Sequence, residues 1–299
     1  MAVAVETIKP IIGQSFRLLT WDRGVEQVRL HTDARQSTLV DGFGALWHRH
    51  PELEIAFIHQ GSGLRLIGNQ LDNVTDGDLV VIDRYLPHYW RMNGPSRGYC
   101  IQFDPELPLS VWQSGSEISA ILKPLRQAAR LGLRVSGPTS TAVHHLISKL
   151  PSLSPLARFS ALLEILGTLA EAPEQDQQTL ASDNFHLPQP GDPHERAIAA
   201  AVSLISAQFS APLKLSDILA VIPISRPTFS RHFKRSTGRS FITFLTEIRI
   251  AHACQELTST RKSVTQIALD SGFNDLSHFN RMFRRQIGCS PLAYRRASD

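Results

Sequence analysis

Two imidazoles and a carboxylate stand at even spacing in residues 42–61, which read Gly42-Phe43-Gly44-Ala45-Leu46-Trp47-His48-Arg49-His50-Pro51-Glu52-Leu53-Glu54-Ile55-Ala56-Phe57-Ile58-His59-Gln60-Gly61. Residues an even number apart on a β-strand share one face. His48, His50 and Glu54 would then converge, and nitrogen and oxygen donors of this kind can hold a divalent transition metal. The same groups can instead hydrogen-bond the hydroxyls of a small ligand, or be buried histidines with a structural role. These alternatives stay open on the residues alone.

A second chemistry lies between residues 215 and 296, where one pattern occurs twice. Thr228-Phe229-Ser230-Arg231-His232-Phe233-Lys234-Arg235, closed by Gly238, is matched by His278-Phe279-Asn280-Arg281-Met282-Phe283-Arg284-Arg285, closed by Gly288. Phe229, Arg231, Phe233, Arg235 and Gly238 recur 50 residues later as Phe279, Arg281, Phe283, Arg285 and Gly288. A period of this length marks two copies of one supersecondary unit. Aromatic residues four apart lie on one helix face, so Phe229, Phe233, Phe279 and Phe283 are assigned to the core. A short helix, a tight turn and a second helix with a basic face is the pattern of a helix-turn-helix, and double-stranded DNA is the expected partner.

The elements that must position these residues follow from periodicity. Residues ~15–110 show short apolar runs at 53–58, 64–67, 79–82 and 99–103, with turn signals at Gly61, Gly63 and Asn69, which argues for a sandwich or small barrel. Residues ~115–133 and ~139–171 change to helical spacing: Val143, Leu146, Ile147 and Leu150, then Phe159, Leu162, Leu163, Leu166 and Leu169, interrupted by Pro151 and Pro155. Their apolar stripes need a partner, either the sheet or the same helices of a second subunit. Residues 173–193 are rich in Pro, Gln, Asp and Ser and read as a linker. Beyond it, helices are expected over ~194–209, 217–222 with Ser216 as N-cap, a segment capped by Ser225, ~240–257, 265–270 and 275–286, with Gly272 at the second turn.

Charge separates the two halves. Residues 1–193 carry 16 Lys/Arg against 20 Asp/Glu, while residues 194–299 carry 15 against 7. A basic terminal module beside a mildly acidic one fits a polyanion partner for the former. Cys100, Cys254 and Cys289 show neither metal spacing nor a disulfide framework, so a reducing cytoplasm is expected. The first 30 residues lack a secretory pattern, and no apolar run nears the ~20 residues of a membrane span, so no membrane partner is expected.

Residues 195–296 resemble the DNA-binding domain of AraC/XylS-type transcription regulators. The resemblance is densest over Ile267-Ala268-Leu269-Asp270-Ser271-Gly272-Phe273-Asn274-Asp275-Leu276-Ser277-His278-Phe279-Asn280-Arg281-Met282-Phe283-Arg284-Arg285 and Gly288-Cys289-Ser290-Pro291-Leu292-Ala293-Tyr294-Arg295. It implies two helix-turn-helix units joined by a long helix and entering successive major-groove segments. The positions matching the family's groove-facing set are Arg226, Thr228, Ser230 and Arg231, then Leu276, Ser277, His278, Asn280 and Arg281. Arginine suits guanine, Asn280 adenine and Leu276 a thymine methyl. Lys234, Arg235, Arg239, Arg284 and Arg285 are expected at phosphates. Leu219, where the family has a small residue, and Pro223 depart from the pattern and suggest a less regular first unit.

Residues 42–61 resemble the first cupin motif in full. Gly77 and His88 resemble the glycine and histidine of the second, although Asp83 and Tyr85 stand where that motif has proline and glycine. The resemblance adds His88 to His48, His50 and Glu54 as a candidate ligand set for zinc, nickel, iron or manganese. It equally implies a barrel in which these groups, with Trp47 and Trp90, contact a small effector such as a sugar. Arg49, Arg65, Tyr89 and Arg91 are further lining candidates.

The expected fold is α+β with two domains: a cupin-like β-barrel with trailing helices, then an all-α double helix-turn-helix. The expected boundaries are 1–112 for the effector barrel, 113–172 for a helical dimerisation segment, 173–193 for the linker and 194–299 for the DNA-binding domain. The expected function is a ligand-responsive, sequence-specific transcription regulator, an activator by the family's commoner outcome. It would be a cytoplasmic homodimer that meets RNA polymerase, and no catalytic residue is assigned. The rivals are a metal-dependent cupin enzyme carrying a DNA module and a constitutive architectural DNA-binding protein.

Overall fold

The computed structural model describes residues 4–5, 15–34, 36–105, 117–183, 185 and 194–298. Residues 113–116 of the expected helical segment and 184 and 186–193 of the expected linker lie outside them. The chain divides into two compact units, one built from Ala4–Gln70 and Val74–Leu187, the other containing Pro188–Asp299.

The first unit holds thirteen strands among the described residues: β1 (Ala4–Val5), β2 (Arg17–Trp21), β3 (Gln27–Asp33), β4 (Gln36–Asp41), β5 (His48–Arg49), β6 (Leu53–Gln60), β7 (Gly63–Ile67), β8 (Gln70–Val74), β9 (Asp78–Ile82), β10 (His88–Met92), β11 (Arg97–Phe103), β12 (Leu133–Val135) and β13 (Gln177–Thr179). They form a five-stranded sheet in the order β1-β5-β10-β7-β8 and an eight-stranded sheet in the order β13-β12-β9-β6-β11-β2-β3-β4. Pairing is antiparallel except between β1 and β5.

Alternation along the eight-stranded sheet decides what faces what. Leu53, Ile55, Phe57, Leu79, Val81, Ile101 and Phe103 pack on the helices α1 (Glu117–Ala129), α2 (Gly137–Ile147) and α3 (Pro155–Ala170). Ala56, Ile58, Val80, Ile82, Leu19 and Trp21 point the other way, into a core shared with Ile67 and Trp90 of the facing sheet. Because β6 is covered on both faces, residues 53–58 are apolar without a break except for Glu54, whose parity turns it toward the facing sheet.

The helices bury their stripes (Leu122, Leu125, Val143, Ile147, Leu162, Ile165, Leu166 and Leu169) on this sheet of their own chain. Of the two partners open to those stripes, the sheet takes them.

Two segments differ from expectation. β12 lies between α1 and α2 and extends the sheet by pairing with β9. The expected linker is folded over its first part: β13 pairs with β12, and Leu180, Ala181 and Phe185 are buried in the intersheet core. Asp176 is buried and accepts from the backbone N–H and the hydroxyl of Thr139, capping the first turn of α2. Composition suggested a free segment because an edge strand needs few apolar residues. The three that anchor this one were enough.

The second unit contains α4 (Glu195–Gln208), α5 (Leu215–Val221), α6 (Arg226–Thr237), α7 (Phe241–Ser259), α8 (Val264–Asp270), α9 (Leu276–Ile287) and α10 (Pro291–Ser298). Ser225, Ser240, Ser263 and Asp275 cap α6 to α9 by accepting orphan backbone N–H groups. The cap expected at Ser216 is displaced: α5 begins two residues earlier than read, and Asp217 accepts from the backbone N–H of Lys214. Long α7 serves both units of the repeat. Phe244 meets Phe233 edge-on, while Ile250, Ala253, Cys254 and Leu257 pack with Ile267, Phe279 and Phe283.

Candidate functional site

α6 and α9 are built alike. Each is closed by a glycine in the left-handed region, Gly238 at φ 72 and Gly288 at φ 86, where a side chain would be strained. Each buries its phenylalanine pair completely: Phe229 with Phe233, and Phe279 with Phe283. At roughly 100° per residue, the face opposite these pairs carries Arg231, Lys234 and Arg235 on α6, and Ser277, Arg281, Arg284 and Arg285 on α9. All seven are exposed.

The remaining expected residues divide. Arg226, Ser230, Leu276, His278 and Asn280 are exposed on the flanks of those faces, and His278 lies edge-on to Phe273. Leu276, Asn280, Arg281, Arg284 and Arg285 line one groove with Ser290, Pro291 and Leu292. Thr228 is drawn back. It is half-buried, and its hydroxyl is hydrogen-bonded to that of Ser225 at the helix cap. Arg239, expected at a phosphate, is half-buried and ion-paired with Glu247 of α7.

Between the two sheets of the first unit, His48, His50, Glu54 and His88 come together, all buried, with their ligand atoms within 4.8 Å of one another. The register accounts for this: His88 on β10 is directly opposite His48 on β5. Each imidazole has its Nδ1 against a backbone carbonyl: His48 to Leu46 at 2.8 Å, His50 to Glu52 at 3.2 Å and His88 to Leu86 at 2.8 Å. A carbonyl only accepts, so Nδ1 of His48 and of His88 carries the proton and the Nε2 of each is left with its lone pair, whereas His50 faces acceptors at both ring nitrogens. That is the arrangement by which an outer partner orients a metal-binding histidine.

Nε2 of His50 lies 3.1 Å, and that of His88 3.9 Å, from Oε2 of Glu54. The His88 Nε2 is buried and has no hydrogen-bond partner. Burial pushes the His88 imidazole down to about 4 against the opposing pull of Glu54, so it is neutral near pH 7. Burial would raise the Glu54 carboxyl, but the hydrogen bond from His50 and the charges of His88, His50 and His48 outweigh it and hold it well below the usual carboxylate range. An ionised carboxylate with lone-pair nitrogens, one of them unpartnered, is a donor set that fits a divalent transition metal.

The cluster borders a pocket at His48 and Glu54. The pocket is also lined by Arg17, Leu19, Trp21, Val25, Val28, Asp41, Gly42, Phe43, Gly44, Ala56, Ile58, Trp90, Cys100 and Gln102. Trp90 is thus a lining residue, as expected, and its indole Nε1–H is buried without a partner. Trp47 is buried but is not part of this wall, and neither are Arg49, Arg65, Tyr89 and Arg91. Arg65 is spent on an ion pair with buried Asp78 at 3.1 Å.

Sequence reading missed Arg17, Trp21 and Gln102. Arg17 is opposite Gln102, and Gln102 is opposite Glu54, on three adjacent strands. Arg17 donates to Gln102 Oε1 at 3.1 Å, and Gln102 donates to Glu54 Oε2 at 2.8 Å. The alternation Arg17-x-Leu19-x-Trp21 was visible in the sequence, but nothing local gave the register.

A sheet-rich unit with a lined interior, followed by paired helix-turn-helix units with outward basic faces, defines a two-domain DNA-binding regulator. Residues 35–187 match the family described as the AraC-like ligand binding domain, and residues 219–297 match a helix-turn-helix domain family. The chain belongs to the AraC family of transcription regulators. It is 24% identical over 257 residues to the HTH-type transcriptional activator RhaR of Mannheimia succiniciproducens, covering 83% of this chain and 86% of that protein. It is also 24% identical over 265 residues to the HTH-type transcriptional regulator YfiF of Bacillus subtilis, covering 86% and 81%. A solved AraC-type DNA-binding regulator from Chromobacterium violaceum is similar at 32% identity and TM-score 0.33, over 34% of this chain and 91% of that one.

The protein is a ligand-responsive DNA-binding transcription regulator and not an enzyme. Among the described residues no helix is long and apolar enough to cross a membrane.

Proposed function

We propose that this regulator activates transcription by reading a DNA site with α6 and α9, under the control of a small metabolite held in the pocket of the first unit. The observation that carries the DNA reading is the pair of exposed polar faces, each set opposite a fully buried phenylalanine pair. Arg226, Ser230, Arg231, Leu276, Ser277, His278, Asn280 and Arg281 are assigned to base edges. Lys234, Arg235, Arg284 and Arg285 are assigned to phosphates, where they position the protein without specifying sequence. Thr228 is reassigned to capping α6.

The effector site is the pocket beside His48, His50, Glu54 and His88, with Trp90 in its wall. These four residues would hold a divalent zinc, iron, manganese or nickel ion, which when bound supplies a positive centre for an oxygen of the ligand. The protein is further assigned to the cytoplasm, to contact with RNA polymerase and to a homodimer.

The test is selection of binding sites from random duplexes by the full-length protein. One bipartite motif with its halves about one helical turn, ~34 Å, apart is expected. Enrichment of no motif would overturn the reading.

A further inference from the structure

We propose that the effector is a small carboxylic acid with an oxygen donor beside its carboxyl group, an α-hydroxy or α-oxo acid, whose carboxylate is received by Arg17 while it chelates the metal. This rests on the reading of the pocket as a metal-containing effector site.

The first argument is register. Arg17, Gln102 and Glu54 are directly opposed on three neighbouring strands and linked by hydrogen bonds of 3.1 and 2.8 Å. A guanidinium, the fork best matched to a carboxylate, thus stands one residue pair away from the metal ligand Glu54, and both line the same pocket. The second is the Trp90 indole, a buried donor without a partner in that wall. A buried donor of this kind costs stability unless an acceptor meets it. A carboxylate oxygen supplies one and brings no proton of its own that needs an acceptor.

Charge gives the third argument. Neutral imidazoles and one carboxylate around a divalent ion leave a single net positive charge. Asp41, the other lining carboxylate, is exposed to solvent. A positive pocket walled by Leu19, Val25, Val28, Ala56, Ile58 and Trp90 is balanced by an anion, and a neutral sugar leaves it unbalanced. The same wall gives the acid an apolar tail.

The full-length protein is first assayed for bound metal by inductively coupled plasma mass spectrometry, against a His48→Ala/His50→Ala variant. It is then titrated calorimetrically with glycolate, lactate, mandelate and benzoylformate, with the amide of each, and with glucose and glycerol. Near-stoichiometric metal that the double variant lacks is expected. So is binding of acids but not amides. Arg17→Met should weaken acid binding about tenfold or more with metal content unchanged. If that variant fails to fold, Arg17→Lys, which keeps the charge but loses the fork, gives the same comparison.

Acids that bind equally well after chelation would overturn the metal's part. Amides or glucose binding as tightly as acids, an unaffected Arg17 variant, or silence across the acid series would overturn the proposal. Glucose binding that alters affinity for the selected DNA would remove this proposal and keep the effector reading. DNA affinity that no bound small molecule alters would remove the effector reading itself.

Discussion

Replacing Arg281 by alanine tests the reading of α9 most directly. Arg281 is the sixth residue of a helix that begins at Leu276, so it lies about 7.5 Å along the axis at 1.5 Å per residue, within the half that reaches base edges. It shares its face with Ser277, Arg284 and Arg285, away from Phe279 and Phe283, and it is exposed. Its loss should therefore leave the fold alone, within about 0.5 kcal/mol as for other surface changes. A bidentate arginine–guanine contact is worth about 1–3 kcal/mol, or roughly 5- to 150-fold in affinity for the selected site. Fluorescence anisotropy on that duplex, on its single-base variants and on unrelated DNA, each at several salt concentrations, separates the possibilities. The expected result is a large loss on the selected site, relaxed preference at one base pair and little change on unrelated DNA. Arg284→Ala is the internal contrast: it should weaken all duplexes together and lower the logarithmic salt slope by about 0.9. If Arg281→Ala weakens every duplex by one factor, Arg281 meets a phosphate and the helix is docked at another angle.

Two further substitutions probe the scaffold. Gly272 has φ +85, and an added Cβ would stand 2.7 Å from the Phe209 carbonyl oxygen and 2.9 Å from Ser210 Cα. Gly272→Ala should cost about 1–2 kcal/mol for its backbone conformation and about 1–3 kcal/mol more for crowding, seen as a lower melting temperature of the DNA-binding unit; an unshifted melt would refute the close approach. Asp176→Ala removes the acceptor of the two Thr139 bonds and should cost about 1–3 kcal/mol. Chymotrypsin should then cut faster after Leu180 or Phe185, and an unchanged cleavage rate would show that the segment is held by its apolar residues alone.

Much of the DNA-binding unit was legible because its signals are local. A serine or aspartate before each recognition helix, phenylalanines four apart and a glycine after the last turn each fix one step of the backbone, and the 50-residue spacing repeats them. Leu219 and Pro223 did not prevent a regular α6. His48, His50 and Glu54 were legible because parity on a strand is also local. Arg17 and Gln102 were not, since only pairing between strands far apart in sequence puts them beside Glu54. β12 was hidden between helices by its brevity. Residues 177–179, Gln-Gln-Thr, read as linker because a polar edge strand and a solvated segment have the same composition. Tyr85 shows the reverse case. It holds φ 59, a left-handed backbone that favours glycine, at the position where the cupin motif has glycine.

A ligand can bias a regulator only through different affinity for its states, so pocket occupancy has to alter something that continues toward the DNA-binding unit. Within the first unit the packing is continuous from His88 to Phe185. Nδ1 of His88 is held by the carbonyl of Leu86, and the carbonyl of Pro87 accepts from Gly68. Gly68 abuts Ala181 and Phe185, since a Cβ there would lie 2.8 Å from the first and 3.3 Å from the second. Leu86 and Trp90 share one buried cluster with Leu180, Ala181 and Phe185. Interiors packed this closely shift between arrangements rather than deforming smoothly. Moving the His88 ring therefore means breaking its bond to Leu86 or carrying Leu86 with it, and Leu86 packs in the same cluster as the residues that lead out of the first unit. The segment that composition presents as a passive tether thus shares, through Leu180, Ala181 and Phe185, one buried cluster with Leu86 and Trp90 on either side of His88.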